Sequence, residues 1–339
     1  MKKIRVLVVD DSAFARKVVR ESLTSDPELE VVATASDGID ALEKIAELKP
    51  DVVTLDLVMP NLDGLGVLKA LPPEERGRVV IVSMADGESD LGIAALAAGA
   101  FDLVHKPTAL ALDSLRDIAA ELVQKVRLAA SPRPRDGAVT ARVEPLPVAA
   151  RTDRVVLIGT STGGPQALTR LLTALPADFP APLAVVLHIP PGYTEALAAR
   201  LDAECAIEVM EAREGVALRP GLAVIALAGM HLELVTHAGV TRTHLAVEPI
   251  ASIHRPSVDV LFESAARSLG PRALGVVLTG MGDDGLRGAR ALVAAGGRVL
   301  TEAESSSVVY GMPRVVKEAG LATAEAPLSE MAAAIAARL

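Results

Sequence analysis

Three stretches of this 339-residue chain end an apolar run in side chains capable of hydrolytic chemistry. The first is Arg154 to Leu172, RVVLIGTSTGGPQALTRLL. Val155–Ile158 has the length and β-branching of a buried parallel strand, and Pro165 opens a helical pattern at Ala167, Leu168, Leu171 and Leu172. Between them, Gly159-x-Ser161-x-Gly163 has nucleophile-elbow spacing, in which glycines tolerate a strained turn and let a substrate approach. Ser161 then stands on a ledge, its hydroxyl outward, beside the free N–H groups of a helix start. A phosphate-cradling loop or a plain strand-to-helix turn would share that spacing. The second stretch is Leu183–Leu187, followed by His188 and the loop Ile189-Pro190-Pro191-Gly192. Its imidazole lies on the same rim as Ser161 and can take the serine proton and return it to a leaving group. The third is Leu274–Leu278, running into Thr279-Gly280-Met281-Gly282-Asp283-Asp284-Gly285. A carboxylate there can hold the imidazole tautomer and stabilise imidazolium. Spacing does not choose between Asp283 and Asp284, and helix N-capping is the competing use of either. The order Ser, His, Asp differs from that of α/β-hydrolases, so that fold is not implied; a triad is a matter of geometry, not order. Of the other histidines, His237 and His244 flank a hairpin turn and read as solvated, whereas His231 and His254 lie near loops and stay open.

The N-terminal part carries a different set. Asp10-Asp11 end one apolar run, Asp56 another, Ser83 a fourth and His105-Lys106-Pro107 a fifth. Three converging carboxylates repel one another, and a divalent, oxygen-seeking ion resolves the repulsion. A nearby hydroxyl and ammonium could hold an anion delivered to one carboxylate.

The elements that must position these residues follow from periodicity. Strand-like runs at Ile4–Val9, Val31–Ala35, Val52–Leu55, Val79–Val82 and Leu103–Val104 alternate with helical patterns at Ser12–Ser25, Gly38–Lys49, Leu65–Leu71, Ser89–Ala98 and Asp113–Leu128. A fivefold βα alternation implies a parallel sheet covered by helices, with its site at the carboxyl ends of the strands. Residues 1–128 form this domain. Residues 129–152, rich in proline and arginine and without periodicity, read as an exposed linker. Residues 153–339 repeat the α/β pattern, with further strands at Ala223–Ala226 and Arg298–Leu300. Helices are expected at Gln166–Leu175, Tyr193–Glu204, Val258–Leu269, Gly285–Ala295 and Ser329–Arg338. Leu232–Val247 alternates around Ala238-Gly239 and reads as an antiparallel hairpin attached to the sheet. The expected fold class is therefore α/β twice over: a (βα)5 unit, then a doubly wound, mostly parallel unit.

Half the residues are hydrophobic but only 2% aromatic, with no Trp, so the cores are built of Ala, Val, Leu and Ile. The net charge of −9 and the absence of a basic stripe argue against nucleic-acid binding. One cysteine, Cys205, excludes an intrachain disulfide and reads as core packing. No secretory signal and no membrane-spanning run is read, so a cytoplasmic monomer is expected.

Two resemblances then follow. DLVMPNLDG from Asp56 to Gly64, with Asp10-Asp11, Ser83 and Lys106-Pro107, resembles the receiver domain of two-component response regulators. That resemblance implies a flavodoxin-like fold in which Asp56 accepts a phosphoryl group from a sensor histidine kinase. Asp11 and Asp56 would ligate Mg²⁺ directly, Asp10 through water, and the main-chain oxygen of Val58 would complete the set. Lys106 would pair with the phosphoryl oxygens and Ser83 would swing toward them. The family usually carries Tyr or Phe three residues before the lysine; this chain carries Leu103, with Phe101 nearby.

IGTSTGGP, LHIPPGYT, HRPSVDVLFES, VVLTGMGDDG and SSSVVYGMP, in that order, resemble the catalytic domain of the chemotaxis protein-glutamate methylesterase family, CheB. The resemblance implies Ser161 as nucleophile, His188 as base and Asp284 as its orienter, with backbone N–H groups near Thr162 and Met281 as the oxyanion hole. The implied reaction is hydrolysis of glutamyl γ-methyl esters on chemoreceptor signalling helices, with glutamine deamidation beside it. No cofactor is expected in the catalytic domain, and the two strand-end rims lead to the expectation that the receiver covers the Ser161 rim until Asp56 is phosphorylated. The chain departs from the family at Ala226-Leu227-Ala228-Gly229, at Asp283 and at Thr301-Glu302-Ala303-Glu304, which are expected to reshape the substrate rim and leave the triad alone. Two other classes fit less well. A phosphate-binding adaptor would lack its loop lysine, and a DNA-binding regulator would lack its basic helical domain.

Overall fold

Apolar runs bounded by capping residues become the elements of two α/β units. The computed structural model describes residues 2–84, 89–106, 112–131, 152–249, 252 and 254–339, with side chains of the helix beginning at Leu112 described from residue 119. Pro107 and the linker stretch 132–151 lie outside the described residues. The chain divides into two compact units, Met1–Pro132 and Arg133–Leu339.

In the first unit the strands are β1 (Ile4–Val9), β2 (Leu29–Ala35), β3 (Val52–Leu55), β4 (Val79–Ser83) and β5 (Asp102–His105). The helices are α1 (Ala13–Thr24), α2 (Gly38–Leu48), α3 (Gly64–Ala70), α4 (Pro73–Arg76), α5 (Ser89–Ala97) and α6 (Leu112–Ala130). The strands pair in the order β2-β1-β3-β4-β5, all parallel. Helix starts follow side-chain caps: Ser12 accepts from the Ala15 N–H, Asp37 from Ile39 and Asp40, and Asp63 from Gly66. Helix α6 continues through Ala129 and Ala130, two residues into the stretch read as linker, because alanine extends a helix at no side-chain entropy cost. Buried Lys125 pins this helix by donating to the Leu103 carbonyl at 2.7 Å and pairing with Asp102 and Glu121 at 3.3 and 2.8 Å. Leu103 and Phe101 are both buried, so neither presents an apolar side chain at the surface of β5.

In the second unit β6 (Val155–Thr160), β7 (Leu183–Leu187), β8 (Glu208–Glu211), β9 (Leu222–Ile225), β10 (His231–His237), β11 (Val240–Ala246), β12 (Ala273–Val277), β13 (Arg298–Glu302) and β14 (Ala324–Ala326) alternate with helices. These are α7 (Gly164–Thr173), α8 (Thr194–Glu204), α9 (Val258–Leu269), α10 (Leu286–Ala294), α11 (Met312–Glu318) and α12 (Leu328–Ala336). Seven strands form one parallel sheet in the order β14-β13-β12-β6-β7-β9-β8. The short edge strands β8 and β14 and the helix α11 have no sequence signal of their own. Each is too short for a hydrophobic period and is held by its neighbours. On one face, Leu261, Phe262 and Ala265 of α9 pack beneath Val155, Leu157, Ala184 and Val186. Each such large buried side chain contributes roughly 1.5–3 kcal/mol.

The hairpin is not attached to this sheet. Strands β10 and β11 form a two-stranded sheet of their own, from His231 with Ala246 to His237 with Val240, and β11 adds one isolated antiparallel bridge, Arg242 with Ala217. Ala238 and Gly239 both have positive φ, 49° and 77°, the pattern of a primed two-residue turn. The inner face of the ribbon, Leu232 and Leu234, joins the core, and the Leu234 N–H goes to the Ser264 hydroxyl of α9 at 3.0 Å. Burial against a helix thus replaces a ladder with the sheet. Among the described residues no helix is long and apolar enough to cross a membrane.

Candidate functional site

Each sheet has one point where strand order reverses, and open parallel sheets bind their ligands there, outside the carboxyl ends of the strands. In the second unit the chain starts at β6, adds β7, crosses to the edge strand β8, comes back to insert β9 between them, and then returns to place β12 on the other side of β6. The reversal therefore lies between β6 and β12. Ser161 follows β6 there, and the 279–285 loop follows β12.

Backbone hydrogen bonds draw the three tips together. The Ser161 N–H donates to the Thr279 carbonyl at 3.1 Å, and the His188 N–H donates to the Thr160 carbonyl at 3.1 Å. Thr160 and Leu187 are register partners, so Ser161 and His188 are the next residues on adjacent strands. Helix α7 begins at Gly164, with Gly163 as its N-cap at φ +79°. The left-handed residue of this turn is thus Gly163; Ser161 is not among the residues with positive φ, so the strained serine of a hydrolase elbow is not reproduced. Gly280 lets the tips close up: a Cβ there would lie 2.3 Å from the Met312 sulfur and 2.9 Å from the Ser161 Cβ. Gly280→Ala should displace Ser161 and lower kcat/KM by about 10²-fold, measured as ester hydrolysis with the fold checked by thermal unfolding.

The structure separates the two aspartates. Asp283 is exposed, whereas the Asp284 Oδ2 lies 2.8 Å from His188 Nε2. Asp284 also accepts from the Ser257 hydroxyl (2.9 Å), the Val258 N–H (2.7 Å) and the Asp259 N–H (2.9 Å), which is the capped start of α9. Burial raises its pKa, but the hydrogen bond and charge of His188 and the backbone N–H groups outweigh it and hold the carboxyl well below the usual range. Asp259 in turn accepts from the Gly285 and Gly288 N–H groups, so each carboxylate caps the helix start of the other's segment. Among the described residues no hydrogen bond joins the Ser161 hydroxyl to His188. The imidazole Nδ1 is buried without a partner and is the nitrogen left over once Nε2 is committed to Asp284. The main-chain N–H groups of Thr162 and Met281 likewise donate to no protein acceptor among the described residues.

Sequence reasoning missed four residues that support this rim. Ser257 and Asp259 hold the Asp284 segment; their signal was present, since a serine before VDVLF and an acid in the first helical turn are capping choices. His254 stacks on His188 with ring centroids 4.0 Å apart and planes 19° apart. Glu302, expected to reshape the rim, is instead fully buried and accepts from the Thr279 N–H at 2.7 Å, bracing the loop from beneath. Of the remaining histidines, His231 is buried with Nε2 3.3 Å from the Pro249 carbonyl, and His237 and His244 are exposed, as read from the hairpin.

In the first unit the reversal lies between β1 and β3, whose ends carry Asp10, Asp11 and Asp56. One oxygen from each carboxylate lies within 4.8 Å of the others, with Asp10 and Asp56 buried and Asp11 exposed. Lys106 Nζ pairs with Asp56 at 2.6 Å and Asp10 at 3.0 Å, and its N–H donates to the Ser83 carbonyl across β4 and β5. The Ser83 hydroxyl donates to the Met84 carbonyl at 3.3 Å. Burial, aided by the Asp10 charge and opposed by Lys106, pushes the Asp56 carboxyl up to about 6. One ammonium for three carboxylates leaves an all-oxygen, net-negative cluster, a donor set that fits a hard divalent cation such as Mg²⁺.

Comparison with known proteins decides the family. The CheB methylesterase family model matches residues 156–335 and the response regulator receiver domain model matches residues 6–118. This chain belongs to the CheB methylesterase family. A CheB relative from Myxococcus xanthus, the protein-glutamate methylesterase/protein-glutamine glutaminase 5, is 62% identical over 97% of this chain and 96% of its own. The protein-glutamate methylesterase/protein-glutamine glutaminase of Symbiobacterium thermophilum is 46% identical over 98% of this chain and 96% of its own. Among solved structures, the Thermotoga maritima CheB methylesterase catalytic domain aligns with a TM-score of 0.54 at 37% identity, covering 56% of this chain and all of that domain.

Proposed function

We propose that this chain hydrolyses glutamyl γ-methyl esters on the signalling helices of methyl-accepting chemoreceptors and deamidates glutamines there. Ser161, His188 and Asp284 act as its triad. The observation that carries this reading is the 2.8 Å contact of His188 Nε2 with Asp284 on a histidine that is the strand-register neighbour of Ser161. The Ser161 oxygen attacks the ester carbonyl as His188 Nδ1 takes its proton. The oxyanion is received by the N–H groups of Thr162 and Met281, each worth roughly 3–4 kcal/mol of barrier. Collapse expels methoxide, which takes the proton back from His188 and leaves as methanol; with glutamine the leaving group is ammonia. Water, deprotonated by His188, then attacks the acyl-enzyme, releasing glutamate and restoring the Ser161 hydroxyl. Asp284 stays ionised throughout, holding the imidazole edge and stabilising imidazolium. The test is methanol release from methylated receptors of the same cell; a wild-type chain releasing none would overturn the reading and favour the adaptor.

The proposed domains are a receiver over residues 1–128, a linker over 129–152 and the hydrolase over 153–339. Asp56 is the phosphoacceptor, supplied by a histidine kinase of the chemotaxis type. Asp10, Asp11, Asp56 and the Val58 carbonyl would hold Mg²⁺, which supplies charge neutralisation for phosphoryl transfer when bound. Lys106 sits 2.6 Å from Asp56, within reach of the phosphoryl oxygens, and Ser83 turns its hydroxyl from Met84 toward them. Both partners and substrate segment are cytoplasmic in this reading, and the chain works as a monomer. Phosphorylation shifts the enzyme from an autoinhibited to an active population. Acetyl phosphate should therefore raise wild-type turnover about tenfold, corresponding to roughly 1.4 kcal/mol of coupling, and leave Asp56→Ala unchanged. Equal rates in both proteins, with and without phosphodonor, would remove the gating claim.

A further inference from the structure

A general base must be held in its plane as well as at its edge. The Asp284 contact fixes one edge of the His188 imidazole at Nε2 but leaves the ring free to swing about that hydrogen bond. Nδ1, the atom that takes the serine proton in the proposed mechanism, is buried and has no hydrogen-bond partner to stop that motion. The second constraint is on the ring face: His254 lies against it at a centroid distance of 4.0 Å and an interplanar angle of 19°. The segment that carries His254 is itself well anchored. The neighbouring Arg255 carbonyl accepts from the Gly229 N–H at 3.0 Å, and two residues further on, Ser257 begins the group of donors that grip Asp284. Residues 254–259 thus touch the base on its face and the acid on its oxygens, tying the two together through one short stretch of chain.

We infer that His254 is a positioning residue for His188: its ring, stacked face to face, fixes the plane of the base so that Nδ1 stays aimed at the Ser161 hydroxyl, and supports the imidazolium that forms during attack. Aromatic faces attract cations, and offset stacks add to burial alone, so the contact favours the charged base over the neutral one. His254 needs no proton transfer for this role; an aromatic face of similar size suffices. The inference rests on the triad reading given under the proposed function.

The test compares His254→Ala, His254→Phe and His188→Ala in the full-length protein, with methanol release measured over a range of methylated-receptor concentrations and thermal unfolding alongside. His254→Ala should lower kcat about tenfold with KM unchanged, and His254→Phe should restore kcat to within about twofold of wild type. An unchanged kcat in His254→Ala overturns the inference. So does a His254→Phe variant as slow as the alanine variant, because stacking would then not be what matters. A raised KM with kcat intact also overturns it, assigning His254 to substrate contact instead. Should His254→Ala fail to fold, His254→Leu takes its place against His254→Phe under the same criteria. His188→Ala keeps the two readings apart. Activity surviving it defeats the triad itself, whereas activity lost there but untouched in His254→Ala defeats this inference alone.

Discussion

Ser161→Ala should abolish methanol release, lowering kcat by at least about 10⁴-fold while leaving receptor binding intact, because in the proposed mechanism it removes the nucleophile and nothing else. The side chain is half-buried and holds no hydrogen bond to His188, so the variant should melt with the wild type to within about 0.5 kcal/mol. The measurement is single-turnover methanol release from methylated receptors, with co-sedimentation of enzyme and receptor as the binding control. A variant retaining a tenth of wild-type kcat would mean that another group attacks the ester.

The second large effect belongs to Asp284 and separates catalysis from stability. Asp284→Asn keeps an oxygen for the Ser257 hydroxyl and the Asp259 N–H but turns its amide NH₂ toward both His188 Nε2 and the Val258 N–H, selecting the wrong tautomer; kcat should drop about 10³- to 10⁴-fold with a modest loss of stability. Asp284→Ala instead strands the Ser257 hydroxyl and two backbone N–H groups at a buried helix start, and should also cost about 3–5 kcal/mol of unfolding free energy. The pH dependence follows from the sign of the shift. The folded carboxyl lies well below its ordinary value of 3.8, so its contribution is complete above that pH and is lost as pH falls through the folded value. The stability gap between wild type and Asp284→Asn, measured by urea unfolding, should be constant at neutral pH and close below pH 3.8. A gap that widened on acidification would show that the carboxylate is not held by these donors.

Much of both sites was legible from residue order because a parallel α/β sheet converts sequence position into spatial position. A residue that ends an apolar strand and precedes a helix must stand on the carboxyl rim. Asp10, Asp56 and Lys106 were legible in this way, as were Ser161 and His188. The hairpin was legible from its alternation and its Ala238-Gly239 turn, but not its lodging. Whether its inner face meets a sheet edge or a helix depends on where α9 lies, and no local period records that.

The sequence by itself determined the two-unit α/β plan, the family and the residue types available at each rim, since strand–helix alternation and strand-end chemistry are local properties. Residue spacing left Asp283 and Asp284 open and the family resemblance pointed to Asp284; the tertiary structure supplied the physical reason, since neighbouring side chains diverge and the donors that hold Asp284 against His188 come from a helix start some 25 residues away. Likewise His254 on the face of His188 and Glu302 beneath the Thr279 loop are contacts between segments far apart in the chain, made by packing rather than by spacing.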